Sequence, residues 1–563
     1  MGHLVRRPRA GGETAGAGRT AIGAARGRAA GAAALLCALL IAASAHHAAA
    51  QTATAPSIQE LRTAAEESGF QRHTNHQEMW DYLLALRSRS TDMRLTTYGE
   101  TREGRGLPLA IFSRPMVATA AEAALLGKPV VLLAANVHGG ERTFRESVLI
   151  LLRSIATPGT PENALLDDLV IISTPQINPD GFEATPRGQR GNSWGIDLNR
   201  DYIKLEHPEI ANYVSNVVNT WHPHLYIDGH NGGLYPYNVT YQCPSHASPD
   251  QRITELCDTE IFPAIDRALE AQGYKSWYYN VGAPNEQRWP TGGFQARIGR
   301  NYGGFVNSVG ILFESPGGQN METGVKAGVI AYHSVLEYVR RNPERVVNTV
   351  NRARRETIAM GLAAQGDVVV EMRYGPEDRR VNYEIAVGQG EERRVVPVTN
   401  AELIKKPIAV KTRPRPYAYV LPRDAVDAVA MLRRHGITVE QLQDSASLDV
   451  QAYTIAGVSH SPQYNHAATV QIAVGDVISL TRMFPRGTYV VPTGQALGRV
   501  VAHLLEPETD DNVIYWNTMD AWLPRPRPAA DNATAQTIAQ QTPALVPIFK
   551  LMTPQALPTL IVN

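Results

Sequence analysis

A mostly parallel β-sheet covered by helices on both faces is the fold class this chain predicts, and three observations predict it. Short apolar, β-branched runs stand at residues 130–135, 169–173, 225–228 and 310–313, each with the length and composition of a strand buried on both faces. Between them lie helical patterns, among them residues 145–155 and 208–221, and strands alternating with helices build parallel sheets. Polar and ionisable residues follow each run closely: His138, then Asn178-Pro179-Asp180-Gly181, then His230, then Glu314. In open sheets of this kind ligands gather at the carboxyl ends of the strands, so these four separate segments are expected to meet at one edge.

His138 and Glu141 lie in Asn136-Val137-His138-Gly139-Gly140-Glu141, and His230 lies in Asp228-Gly229-His230-Asn231-Gly232-Gly233. Two imidazoles and one carboxylate are the ligand set of an open catalytic zinc site, in which a fourth position stays free for water; this reads as metal-assisted hydrolysis. An H-x-x-E pair by itself arises often by chance. The shared strand edge is what gives these three residues weight.

The runs Ile177-Asn178-Pro179-Asp180-Gly181, Arg190-Gly191-Asn192 and Gly195-Ile196-Asp197-Leu198-Asn199-Arg200-Asp201 resemble the signature of the zinc carboxypeptidases of the peptidase M14 family. Tyr98-Gly99-Glu100-Thr101-Arg102-Glu103-Gly104-Arg105 and Gly310-Ile311-Leu312-Phe313-Glu314 resemble that family's opening strand turn and its catalytic-glutamate strand. The resemblance spans residues 57 to 345 and implies one Zn2+ per chain held by His138, Glu141 and His230. It implies that Asp197 hydrogen-bonds the first ligating His and fixes its tautomer. Asn199 and Arg200 match the pair that holds the free carboxylate of the substrate, a planar guanidinium being suited to a bidentate clamp. Arg190 matches the arginine that stabilises the oxyanion, and Glu314 matches the general base. Tyr302, in a Gly-rich segment upstream of Glu314, is the candidate for the family's mobile tyrosine. Two departures stand out. Gly140 occupies the place where many members carry an arginine before the zinc-binding Glu, with Arg142 following instead, and the stretch between Asn178-Pro179-Asp180-Gly181 and Asn199 is short, which implies subsite walls unlike those of the digestive enzymes. Separately, Arg187, three residues earlier in the same Gly-rich loop, competes with Arg190 for the oxyanion role.

The chain of 563 residues, 44% hydrophobic and 19% charged, is long enough for more than one domain. Its 54 basic and 54 acidic residues balance, which gives no basic excess to attract nucleic acid. Residues 1–50 read as a secretory signal peptide: an Arg-containing leader, an apolar stretch at 32–43, and Ala48-Ala49-Ala50 before Gln51. Their removal takes away six Arg and one Glu, leaving 48 basic against 53 acidic residues and a net charge of −5. The apolar stretch is below membrane-spanning length, so no stable span is expected after cleavage, and the expected location is secreted or periplasmic. Cys243 and Cys257 then remain, either paired across a short loop or as two isolated thiols.

The expected organisation is a signal peptide at 1–50, a catalytic domain at 57–350 and a C-terminal α+β accessory domain at 365–563. In the last, residues 367–372, 383–387 and 395–398 read as short strands, and 424–435 and 495–505 as helices stopped by Gly436 and Pro507. Residues 524–543, rich in Pro and Ala, read as a loop or linker. The expected function is a secreted zinc metallocarboxypeptidase acting on peptides with a free C-terminus. A zinc amidase of the same fold acting on cell-wall peptides or N-acyl amino acids is the alternative within hydrolases. A non-catalytic peptide-binding relative is the alternative outside them. Arg297 and Arg300, upstream of Glu314, hint at an acidic side-chain preference, with plain surface charge as the simpler explanation.

Overall fold

Val130–Ala135, six residues without a polar side chain, are wholly buried and form a central strand. The computed structural model describes residues 57–184, 188–388, 392–462, 465–524 and 544–562. The leader at 1–50, the competing Arg187 and most of the Pro- and Ala-rich stretch lie outside the described residues.

In chain order the strands are β1 (Met93–Glu100), β2 (Gly106–Phe112), β3 (Val130–Ala135), β4 (Val170–Thr174), β5 (Leu225–Gly233), β6 (Val239–Gln242), β7 (Ser276–Tyr278), β8 (Arg288–Pro290) and β9 (Val309–Pro316). All but β8 join one eight-stranded sheet in the order β1-β2-β4-β3-β5-β9-β6-β7. Its centre, β4-β3-β5-β9, is parallel throughout, and antiparallel pairings flank it. This is the mixed, mostly parallel sheet expected from the sequence.

Helices cover both faces. On one, α1 (Thr143–Ala156) and α2 (Met321–Arg341) pack Phe144, Val148, Leu152, Ala327 and Val335 against Leu133, Ile227 and Phe313. Apolar residues three and four apart supply that stripe in each helix. On the opposite face, Leu132, Ile172 and Tyr226 belong to a cluster with Ile210, Tyr213 and Val217. It continues into Leu432 and Val500 of two later helices, α3 (Val426–Arg434) and α4 (Gly498–Leu505). Residues 57–563 form one compact unit. Among the described residues no helix is long and apolar enough to cross a membrane.

Beyond residue 365 the strands are β10 (Asp367–Val387), β11 (Arg394–Pro414), β12 (Ala418–Leu421), β13 (Glu440–Leu442), β14 (Ala446–His460), β15 (Val470–Phe484), β16 (Tyr489–Pro492), β17 (Phe549–Leu551) and β18 (Thr559–Ile561). The short strands expected at 367–372, 383–387 and 395–398 are parts of β10 and β11, which run 21 residues each. Register shifts around Gly375, Pro376 and Arg380 carry the ladder through a polar interruption that reads as a break in the sequence. Cys243 and Cys257 are disulfide-bonded, with Cα atoms 6.4 Å apart.

Candidate metal centre and catalytic site

Asn136 leaves β3 in the left-handed region, φ 62°, which Asn adopts more readily than most residues. Its Nδ2 donates to the carbonyls of His138 at 2.9 Å and Glu141 at 2.8 Å, bracing the loop that carries both. Gly139 lets this loop lie against the neighbouring turn, since a Cβ there would overlap the Gly181 carbonyl carbon and the Phe182 nitrogen. His230 comes from β5, and Glu314 stands directly opposite it in the parallel register with β9.

The side chains converge as acceptors. His138 Nδ1 lies 2.9 Å from Glu141 Oε1 and 3.1 Å from His230 Nδ1, and His230 Nδ1 lies 2.9 Å from Glu141 Oε2. The far side of each ring sets its tautomer. His138 Nε2 donates to Asp197 Oδ1 at 3.0 Å, and His230 Nε2 donates to Asp228 Oδ2 at 2.8 Å, which leaves a lone pair on each Nδ1. Two lone pairs and a carboxylate facing one another within a buried pocket repel unless a cation lies between them. The edge of a tetrahedron with zinc-ligand bonds of about 2.1 Å is about 3.4 Å, close to these separations, so the donor set fits zinc. The electrostatics agree. Burial opposes charge on His230, yet Asp228 and Glu141 lift its pKa well above the ordinary value. Burial would raise Glu141, but His138 and His230 hold it well below the carboxylate range. This pocket attracts positive charge.

Asp197 is a pivot. Its Oδ1 also accepts the backbone N–H of Asn199 at 2.9 Å, and its Oδ2 takes Arg190 Nε at 3.0 Å. Arg190 Nη1 reaches Glu141 Oε1 at 3.1 Å while its side chain stays 53% exposed, open to a substrate. Asn199 is buried, with Oδ1 accepting the Gly299 N–H at 2.8 Å. Arg200, half-buried, donates Nη1 to the Asn199 carbonyl at 2.8 Å, and its charge is felt at Asp197. Glu314 is buried with Oε2 unpartnered by any protein group, and Gly232 makes room for it, a Cβ there falling 2.9 Å from that oxygen. Burial raises the Glu314 carboxyl, with His230 pulling the other way.

Tyr302 is not brought into the site. Its hydroxyl accepts from Asn219 Nδ2 at 2.8 Å and donates to His435 Nδ1 at 2.9 Å, fully buried in the apolar cluster on the far face of the sheet. A Gly-rich helix (Gly299–Phe305) sets that direction. Tyr279, just past β7, is a tyrosine that does sense the site: burial raises its hydroxyl to about 12, and Glu314 adds to the effect. Arg142 turns away, donating to the Phe182 carbonyl at 2.6 Å and stacking over that ring. Arg297 and Arg300 are both buried and so are not surface charge: Arg297 pairs with Asp511 at 2.7 Å, and Arg300 donates to the carbonyls of Gly292 and Gly293. Asp228 is the functional residue that the ligand motif alone does not mark; the strand period does, since two residues before His230 on β5 it shares that residue's face.

Comparison with known proteins follows the same line. Residues 79–296 match the zinc carboxypeptidase family. Carboxypeptidase 2 of Trichophyton equinum is 26% identical over 441 residues, covering 73% of this chain and 78% of that protein. Carboxypeptidase D of Mus musculus is 29% identical over 210 residues, 31% of this chain and 15% of that protein. The crystal structure of a metallo-carboxypeptidase from Burkholderia cenocepacia is 19% identical, covers 47% of this chain and 69% of its own, and superposes with a TM-score of 0.38. Residues 79–296 are therefore a domain of the zinc carboxypeptidase family, and the chain that carries it is a metallocarboxypeptidase.

Proposed function

We propose that this protein removes the C-terminal residue from peptides with a free carboxylate, using one zinc ion held by His138, Glu141 and His230. The observation that carries the reading is the convergence of two imidazole lone pairs and a carboxylate beside the unpartnered, buried Oε2 of Glu314. When bound, zinc supplies Lewis acidity at the scissile carbonyl and makes a water acidic enough to attack near neutral pH. Glu314 accepts the proton of that water and returns it to the leaving amine. Arg190, fastened by Asp197 and Glu141, places a fixed positive charge where the oxyanion develops. Arg200 and Asn199 clamp the terminal carboxylate, which makes the enzyme an exopeptidase. We further infer export to the cell exterior or periplasm, supported by the Cys243–Cys257 disulfide, a bond that persists in oxidising compartments.

The test compares free-acid and C-terminally amidated forms of the same peptides. The amide is expected to be turned over far more slowly, because Arg200 loses its anionic partner. Comparable rates on both forms would reject the clamp on a free C-terminal carboxylate and favour amidase-like action on this fold.

A further inference from the structure

Asn465 reaches from the C-terminal part of the chain to the loop that carries Asp197, Asn199 and Arg200. Its Oδ1 accepts the backbone N–H of Asp197 at 3.2 Å, across a sequence separation of 268 residues, and its carbonyl accepts Lys204 Nζ at 2.6 Å. The seat around it is built. Lys204 Nζ also reaches Glu206 at 2.9 Å, and Glu206 takes His466 Nδ1 at 2.7 Å. The Lys204 ammonium lies 5.1 Å from the Trp516 ring, against which His466 packs edge-on at 5.4 Å. Asn465 holds φ at 53°, a left-handed conformation that Asn and Gly adopt at low cost.

The contact matters because of what Asp197 holds. One carboxylate orients His138 through Nε2, fastens Arg190 through Nε and caps the turn that presents Asn199 and Arg200. Such a carboxylate is aimed only as well as its own backbone is fixed. The N–H of a capping residue has no partner within its helical turn, so its bond must come from elsewhere. Here it comes from the C-terminal part.

We propose that Asn465 is a positioning residue for the reaction: by fixing the backbone of Asp197 it sets the aim of His138 and Arg190, so that residues beyond 365 complete the active site. This rests on the proposed carboxypeptidase reading. The hydrogen-bond acceptor, rather than the side chain's bulk, carries the role. Asn465→Gly keeps the backbone conformation and removes the acceptor, whereas Asn465→Asp keeps both and also removes the buried Nδ2 that finds no partner.

The experiment measures three quantities on the full-length zinc enzyme: kcat and KM on a free-acid peptide, zinc affinity by competition with a chelator, and hydrogen exchange of the segment containing Asp197. Groups that directly support a metal ligand change affinity or activity by about 10- to 100-fold when lost. Asn465 acts one bond further out, so Asn465→Gly is expected to lower kcat and zinc affinity by about threefold to tenfold. KM should hold within about twofold, exchange at Asp197 should quicken, and Asn465→Asp should stay near wild type in all three. Wild-type behaviour of the glycine variant, or equal impairment of the aspartate variant, overturns the inference. If the glycine variant does not fold, Asn465→Ser replaces it, its hydroxyl being too short to span the gap. A wild-type enzyme that binds no zinc sinks the carboxypeptidase reading itself. A zinc-loaded, active wild type beside an indifferent glycine variant sinks this inference alone.

Discussion

At the scale of single residues, holding the metal and moving the proton are assigned to different groups. Glu314 faces the pocket but takes no place among the three converging ligand atoms. Glu314→Gln is therefore expected to keep a full complement of zinc while its rate falls by about a hundredfold to ten-thousandfold, the usual effect of losing a general base. His138→Ala should show the opposite pairing, with zinc lost on dialysis, because two ligands compete poorly with water. Elemental analysis beside a turnover assay checks both; Glu314→Gln with wild-type turnover would send the search for the base to another carboxylate. The ligands were legible in the sequence because each stands just past an apolar run, where a parallel sheet delivers its loops. Asp228 was legible too, from the two-residue strand period, whereas Tyr302 was misplaced because distance from Glu314 along the chain says nothing about which face of the sheet a side chain enters. Asn465 was invisible: no local pattern marks a residue whose work is done 268 positions away.

At the scale of elements, the site is held by the close approach of two turns. The His138–Glu141 loop lies on the turn at Asn178–Gly181, where Asn178 Nδ2 donates to the Val137 carbonyl at 3.1 Å and Gly140 donates to the Gln189 carbonyl at 2.9 Å. Gly139 is the contact point, and it admits no side chain without backbone moving. Gly139→Ala is expected to destabilise the fold by about 1–3 kcal/mol, the range for overpacking a filled interior. It should also weaken zinc binding, since His138 and Glu141 flank the displaced residue. Thermal denaturation and chelator competition measure the two effects; full stability with unchanged zinc affinity would show that the turns can part freely. The buried strands were readable because β3, β4 and β9 carry continuous apolar runs. The strands β10 and β11 were readable only in pieces, since exposed, half-buried and buried positions mix along them and their bulges break the period.

At the scale of the whole molecule, the seam between the catalytic sheet and the helices beyond residue 365 carries a buried histidine that must stay neutral. His435 Nε2 donates to the Ile203 carbonyl at 2.7 Å while Nδ1 accepts from Tyr302, so both nitrogens are used by the uncharged ring. Burial pushes its pKa down to about 4, the Ile203 carbonyl opposing and the Arg434 charge adding to the fall. In the unfolded chain a histidine titrates near about 6.5. The stabilisation is therefore complete above pH 6.5 and is lost as pH falls toward 4, because the unfolded state takes up a proton that the folded state refuses. The difference amounts to about 3 kcal/mol at the acid end. His207, His224 and His246 are shifted in the same direction by burial, so acid should loosen this protein steeply. His435→Gln isolates one share of that loss, since the amide keeps a donor and an acceptor but does not titrate. Between pH 7 and 4.5 the thermal midpoint of the variant is expected to fall less steeply than that of the wild type. The difference should correspond to about one fewer proton taken up on unfolding. Equal slopes would mean that His435 titrates freely in the folded protein, and that the seam around Tyr302 and Ile203 opens to water well before the sheet unfolds.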